Sequence, residues 1–186
     1  MDGMAGIRMK AAFASIAAAA FLLAAFSEPA AARARPEAKP KTNGEIVEFD
    51  GDYARGTIVV RTDEKRLYYV LGDGQALRYP VAVGEPRFQW TGELWVSSKQ
   101  MNPTWRPTAR MRRENPGLPV SMGPGPRNPL GQRALYLGWG EYRIHGTNAP
   151  HTVGSAASSG CFRMHNADAI DLFDRVHIGA PVIVLQ

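Results

Sequence analysis

Cysteine is almost absent: Cys161 is the only one in 186 residues. A lone thiol excludes an internal disulfide framework and any paired-cysteine zinc knuckle. Histidine is scarce too, with four in all, yet His145, His151 and His165 fall in the same stretch as the cysteine, residues 144–166. No sequence period recurs, which speaks against repeat arrays. Neither sign of charge dominates: 22 Lys and Arg stand against 17 Asp and Glu, a net +5. That small excess suits an anionic polymer such as a cell wall and serves plain solubility equally well, and it calls for no nucleic-acid partner. Long apolar runs are missing as well. The one candidate, residues 11–26, is uncharged, rich in alanine and short for a membrane span.

That run follows Arg8 and Lys10 and precedes the small residues at 29–34, with possible cleavage after Ala32 or Ala34. A basic start, an apolar middle and a small-residue exit make a secretory signal over residues 1–34, and hence a periplasmic destination. An uncleaved anchor is the competing reading. No cysteine stands at the end of the run, so a lipoprotein is excluded. Residues 35–55, polar and proline-bearing at their start, read as a flexible leader. Residues 56–186 suit one domain with a real core.

Within that domain the pattern is mainly β. Residues 57–61, 66–71 and 76–83 are β-branched and aromatic runs separated by turn residues, which predicts a meander. Residues 84–131 carry recurrent Gly and Pro together with Trp90, Trp95 and Trp105. Only residues 93–97 read there as a strand, and 108–114 as a short helix. So long an irregular segment is either a functional loop or a surface cover for the core. Strands are expected at 134–137, 142–145 and 182–185. Between the last two, Asn166 caps a helix of about ten residues, with Ala169, Ile170, Phe173 and Val176 as its apolar stripe. Asp168 sits favourably near the positive end of that helix, and His177 falls near its last carbonyls.

The small polar run from Gly154 to Gly160 packs little core, but it lets backbone N–H groups approach a ligand. A thiol becomes a useful nucleophile as the thiolate, and a neighbouring imidazole can produce it. His145 lies sixteen positions before Cys161, so the chain must fold back between them, and Gly146, Asn148, Pro150 and Gly154 ease that reversal. Arg163, two residues past the thiol on an extended segment, points to the same side. Its guanidinium can take a substrate carboxylate in two bonds, or can form a structural salt bridge.

In this order, His145-Gly146-Thr147, a loop, and Ser158-Ser159-Gly160-Cys161-Phe162-Arg163 resemble the signature of the L,D-transpeptidases, which cross-link or decorate bacterial peptidoglycan. The likeness runs from about residue 56 to 186 and includes the segment from Arg127 to Gly131. The resemblance implies a mainly β, sandwich-type catalytic fold with one or two short helices and no cofactor. It also implies Cys161 as nucleophile, His145 as base, and the Gly146 carbonyl as the group that orients the ring. Gly160 and Cys161 would offer N–H groups to an oxyanion, and Arg163, Ser158 and Ser159 would contact substrate. The implied partners are peptidoglycan stem peptides, with an outer-membrane protein as a second kind of acyl acceptor; the oligomeric state stays open. One position departs from the pattern: Ser159 stands where many members have histidine. Three alternatives stand beside this reading. Water as acceptor would give an L,D-carboxypeptidase or cross-link hydrolase. A second is a non-catalytic peptidoglycan-binding module. The third is a metal site built from Cys161, His145, His151 and His165.

Overall fold

Successive residues of a strand point to opposite faces, and the run Ile58, Val59, Val60 shows this directly. Ile58 and Val60 belong to the main core, whereas Val59 packs with Phe49, Tyr68, Val70 and Ala76 on the other face. The computed structural model describes residues 43–138 and 142–186; the expected signal, residues 1–34, lies outside them. The meander is present as β2 (Ile58–Arg61), β3 (Arg66–Gly72) and β4 (Gln75–Pro80), antiparallel throughout. Asp73 and Gly74 join β3 to β4 with φ of 53° and 68°. Two positive φ angles in a two-residue connection match the right-handed twist of the strands.

The leader is shorter than the sequence suggests. Residues 45–48 form β1 (Glu45–Glu48), an edge strand antiparallel to β4. Phe49 is buried in the second cluster, stacked on Tyr68 at 4.6 Å between centroids. The backbone N–H of Asn43 donates to Asp168 Oδ1 at 2.6 Å. Residues 43–55 therefore belong to the folded domain.

Among the described residues nine strands make one sheet: β1-β4-β3-β2 is followed in order by β11 (Pro181–Leu185), β6 (Gly92–Met101), β7 (Arg133–Leu137), β8 (Arg143–His145) and β10 (Phe162–Arg163). Strand β5 (Val83–Gly84) pairs separately with β9 (Ala156–Ser158). The long β6 (Gly92–Met101) outruns the five residues expected and serves both halves of the large sheet. Residues 92–95 pair with β11 (Pro181–Leu185), residues 96–101 pair with β7 (Arg133–Leu137), and the register shifts between Val96 and Ser98. A bulge bends a strand and sharpens its twist. Ile58, Val60, Val182 and Val184 from one half thus share a single core with Leu135, Leu137, Ile144 and Phe162 from the other. The result is the mainly β sandwich expected.

Two helices complete the described residues. In α1 (Ala109–Glu114), Thr108 caps the start by accepting from the Met111 N–H at 3.2 Å. In α2 (Asn166–Arg175), Ala169 and Leu172 enter the core together with Val176 just beyond its end, while Ile170 is only half-buried. The cap is a correction. His165 takes the N-cap position without a side-chain bond, and Asn166 reaches away from the helix. Asp168 is fully buried and holds Asn43 as well as facing the helix start. At the end of the helix, the Phe173 and Val176 carbonyls accept from Lys99 Nζ, at 2.5 Å each.

Candidate active site

Strand β8 (Arg143–His145) brings the histidine to the site, and β10 (Phe162–Arg163) lies parallel beside it with Arg163 opposite His145. The Met164 N–H donates to the His145 carbonyl at 2.8 Å. Phe162, between thiol and arginine, is fully buried in the main core. Burial of that ring contributes roughly 2–3 kcal/mol and anchors the segment on either side of it. The sixteen-residue separation is closed by this parallel pairing and by the short 3-10 turn at Pro150–Thr152.

His145 is buried, and its Nδ1 lies 2.5 Å from the Gly146 carbonyl oxygen. A carbonyl only accepts, so Nδ1 carries the proton and Nε2 keeps its lone pair. Burial lowers the imidazole pKa to about 4; the Gly146 bond opposes that, and the charges of Arg163 and Arg143 add to it. Burial likewise pushes the Cys161 thiol up, while Arg143 and Arg163 pull it back. Near neutral pH the resting pair is therefore a thiol and a neutral imidazole, not a preformed ion pair.

The backbone next to His145 is held by Asn166. Its Oδ1 accepts from the N–H groups of Thr147 (3.1 Å) and Gln132 (3.2 Å), and its Nδ2 donates to the Thr147 carbonyl at 2.9 Å. A Cβ on Gly146 or on Gly131 would come within 2.1 Å of Asn166 Oδ1, so both glycines are needed for this close approach. The turn before the thiol is closed by Ser158, which is buried. Its Oγ donates to the Cys161 carbonyl at 2.5 Å and accepts from the Gly160 N–H at 3.2 Å. Two expectations change accordingly. Ser158 lines the cleft but engages its hydroxyl within the turn, and the Gly160 N–H is turned to Ser158 rather than to an oxyanion. Ser159 also lines the cleft and stays half-buried.

Cys161, His145 and Arg163 face one cleft of about 660 Å³. Among the described residues five arginines line it (Arg87, Arg106, Arg110, Arg143 and Arg163) and no carboxylate does. Residues 84–131 build one wall, so that irregular segment is part of the cleft and not a mere cover. Phe88 carries two of the guanidinium groups, Arg110 at 4.0 Å and Arg87 at 4.5 Å from its centroid. Arg163 is half-buried, and desolvation lowers its pKa while Cys161 and Glu85 act in the opposite sense. Ion pairs among the described residues include Arg61–Glu64, Arg78–Glu45, Arg87–Glu85 and Arg175–Asp171. None of these involves Arg163.

Arg143 was not among the residues singled out from sequence, although its position two before His145 on a strand put it on the same side. Trp90 and Asn166 were missed as site residues for another reason: their partners are distant in sequence. His151 lies exposed in the 3-10 turn, and His165 faces a separate hollow with Asn43 and Arg78. The four-ligand metal alternative needs both beside Cys161. Among the described residues no group of three or more His, Cys, Asp or Glu is placed to hold a metal.

A β-sandwich thus presents a cysteine and a carbonyl-oriented histidine in one cleft, the two residue types that a thiol-based chemistry would need. The sequence profile of the L,D-transpeptidase catalytic domain matches residues 55–184, and the chain belongs to that family. It is 39% identical over 143 residues to the probable L,D-transpeptidase ErfK/SrfK of Escherichia coli, covering 73% of this chain and 46% of that protein. The chain thus spans about half the length of the curated relatives it matches. A solved Brucella melitensis chain, named as a probable carnitine operon oxidoreductase, is 42% identical, with 78% and 95% of the two chains covered and a TM-score of 0.53. An L,D-transpeptidase from Mycobacterium smegmatis aligns at a TM-score of 0.55 over 71% of this chain and 59% of its own. At 21% identity that likeness speaks to the fold alone.

Proposed function

We propose that this chain is an exported peptidoglycan L,D-transpeptidase. Cys161 adds to the carbonyl of the third stem residue, a diamino acid, and expels the fourth, D-Ala. The observation that carries this reading is the placement of Cys161 and His145 in one cleft, with His145 Nδ1 held by the Gly146 carbonyl. The neutral Nε2 accepts the thiol proton as sulfur adds, and the resulting imidazolium protonates the departing amine. The C–N bond breaks and a thioester remains. An acceptor amine then attacks it, gives its proton to His145, and releases the Cys161 thiol. The acceptor is either the side-chain amine of a second stem, giving a 3→3 cross-link, or an amine of an outer-membrane protein. A lining that, among the described residues, holds five arginines suits peptides that carry free carboxylates.

Incubation with purified disaccharide tetrapeptide tests the reading. Transpeptidation gives free D-Ala and a dimer by mass, and Cys161→Ala gives neither while remaining folded. Release of tripeptide with no dimer would assign water as the acceptor and make the chain a carboxypeptidase. Export rests on residues 1–34 and a periplasmic site of action follows from it; sequencing recovered protein should find Arg33 or Arg35 first. Among the described residues no helix is long and apolar enough to cross a membrane.

A further inference from the structure

The Gly160–Cys161 peptide is fixed from its carbonyl side by a side chain that the proposed mechanism does not use. Trp90 Nε1 donates to the Gly160 carbonyl at 2.9 Å. The indole is itself held in place, stacked on Tyr142 with centroids 4.5 Å apart and 24° between planes, and tilted against Phe162 at 5.7 Å. Gly160 adopts φ +106°, and a Cβ there would come 2.9 Å from the Tyr142 ring. The ring, the glycine and the indole therefore form one packed unit behind the thiol. None of the described peptide bonds is cis. In a trans peptide the N–H points opposite to the C=O, so the bond from Trp90 also sets the direction of the Cys161 N–H. With the Gly160 N–H turned to Ser158 Oγ at 3.2 Å, the orientation of that one peptide matters more.

We propose that Trp90 is a positioning residue: its indole N–H holds the Gly160–Cys161 peptide so that the Cys161 N–H faces the oxyanion formed when the thiol attacks. This rests on Cys161 being the nucleophile. Placement of an oxyanion donor matters only in steps that develop charge on a carbonyl oxygen. Acylation by a carbapenem is such a step: sulfur adds to the lactam carbonyl, the C–N bond opens, and the nitrogen takes the proton. Alkylation by iodoacetamide is not, because sulfur displaces iodide at a saturated carbon.

Trp90→Phe keeps an aromatic ring for Tyr142 and Phe162 and deletes the donor. The full chain carrying it should be acylated roughly ten- to a hundred-fold more slowly, with iodoacetamide alkylation of Cys161 unchanged. Trp90→His retains a ring N–H and should keep the wild-type ratio of acylation to alkylation; it also serves as the test should the phenylalanine variant fail to fold. Unchanged acylation in Trp90→Phe overturns the proposal. So do an equal loss in both reactions and a histidine variant whose ratio falls as far as phenylalanine's, each of which returns the indole to packing. A wild-type chain alkylated at Cys161 but never acylated would instead strike the transpeptidase reading itself.

Discussion

Replacing Asn166 with alanine removes three hydrogen bonds at once: two accepted from the N–H groups of Thr147 and Gln132, and one donated to the Thr147 carbonyl. Two of them tie down Thr147, next to Gly146, whose carbonyl orients His145, and the third joins that segment to Gln132. A typical bond of this kind contributes about 1 kcal/mol net, and a donor left unpaired in a part-buried site raises the loss, so the total is about 2–4 kcal/mol. For a domain of this size roughly 3 °C of melting temperature follows each kcal/mol, which gives a drop of about 6–12 °C. Asn166→Asp keeps both acceptor bonds, now charge-assisted, but sets its second oxygen against the Thr147 carbonyl, so it should fall by part of the alanine loss. Thermal unfolding followed by circular dichroism reads both variants, and carbapenem acylation reads the histidine. An alanine variant that melts with the wild type would refute the brace, as would an aspartate variant equal to alanine.

The buried His145 makes stability depend on pH. Its folded pKa of about 4 lies below the ordinary 6.5, so between those values the unfolded chain binds the proton first. Stability is therefore fully present above about pH 6.5 and falls by about 3 kcal/mol as pH drops to 4. Urea unfolding at pH 7 and pH 4.5 measures this, and His145→Gln should flatten the slope; an unchanged slope would place its origin elsewhere. Arg163→Ala should lower kcat/KM on tetrapeptide roughly ten- to a hundred-fold, the loss of one charge-assisted contact, with melting near wild type. Arg163→Lys should keep part of the activity. A large fall in melting temperature for Arg163→Ala would make the guanidinium a folding element instead.

Strands β2, β3 and β4 were legible because β-branched runs alternate with unambiguous turn residues, and the same holds for β11. The thiol, its histidine and the flanking glycines were legible because their order along the chain is a local pattern. Strand β1 was not, since an edge strand buries little: Ile46 is 63% exposed, and nothing in EIVE announces a partner. The second half of β6 was hidden for a similar reason, its pairing with β7 being carried by Ser98, Lys99 and Gln100 across a bulge. Asn166 misled because an asparagine before an apolar stripe is a good cap by local rules. Its real partners, Gln132 and Thr147, are set by tertiary approach. Trp90 and Arg143 owe their positions to the same approach.

Strand β11 has a consequence for how the molecule comes into being. It lies in the middle of the sheet, parallel to β2 and antiparallel to β6, and aligns Val182 with Ile58. Until residues 181–185 have been synthesised, β2 and β6 have no strand between them and the two halves of the core cannot close. Pairings so distant along the chain form late and slowly. A growing chain therefore cannot close its core until synthesis passes residue 185. An open chain is also the form that can be threaded end-first through a narrow pore.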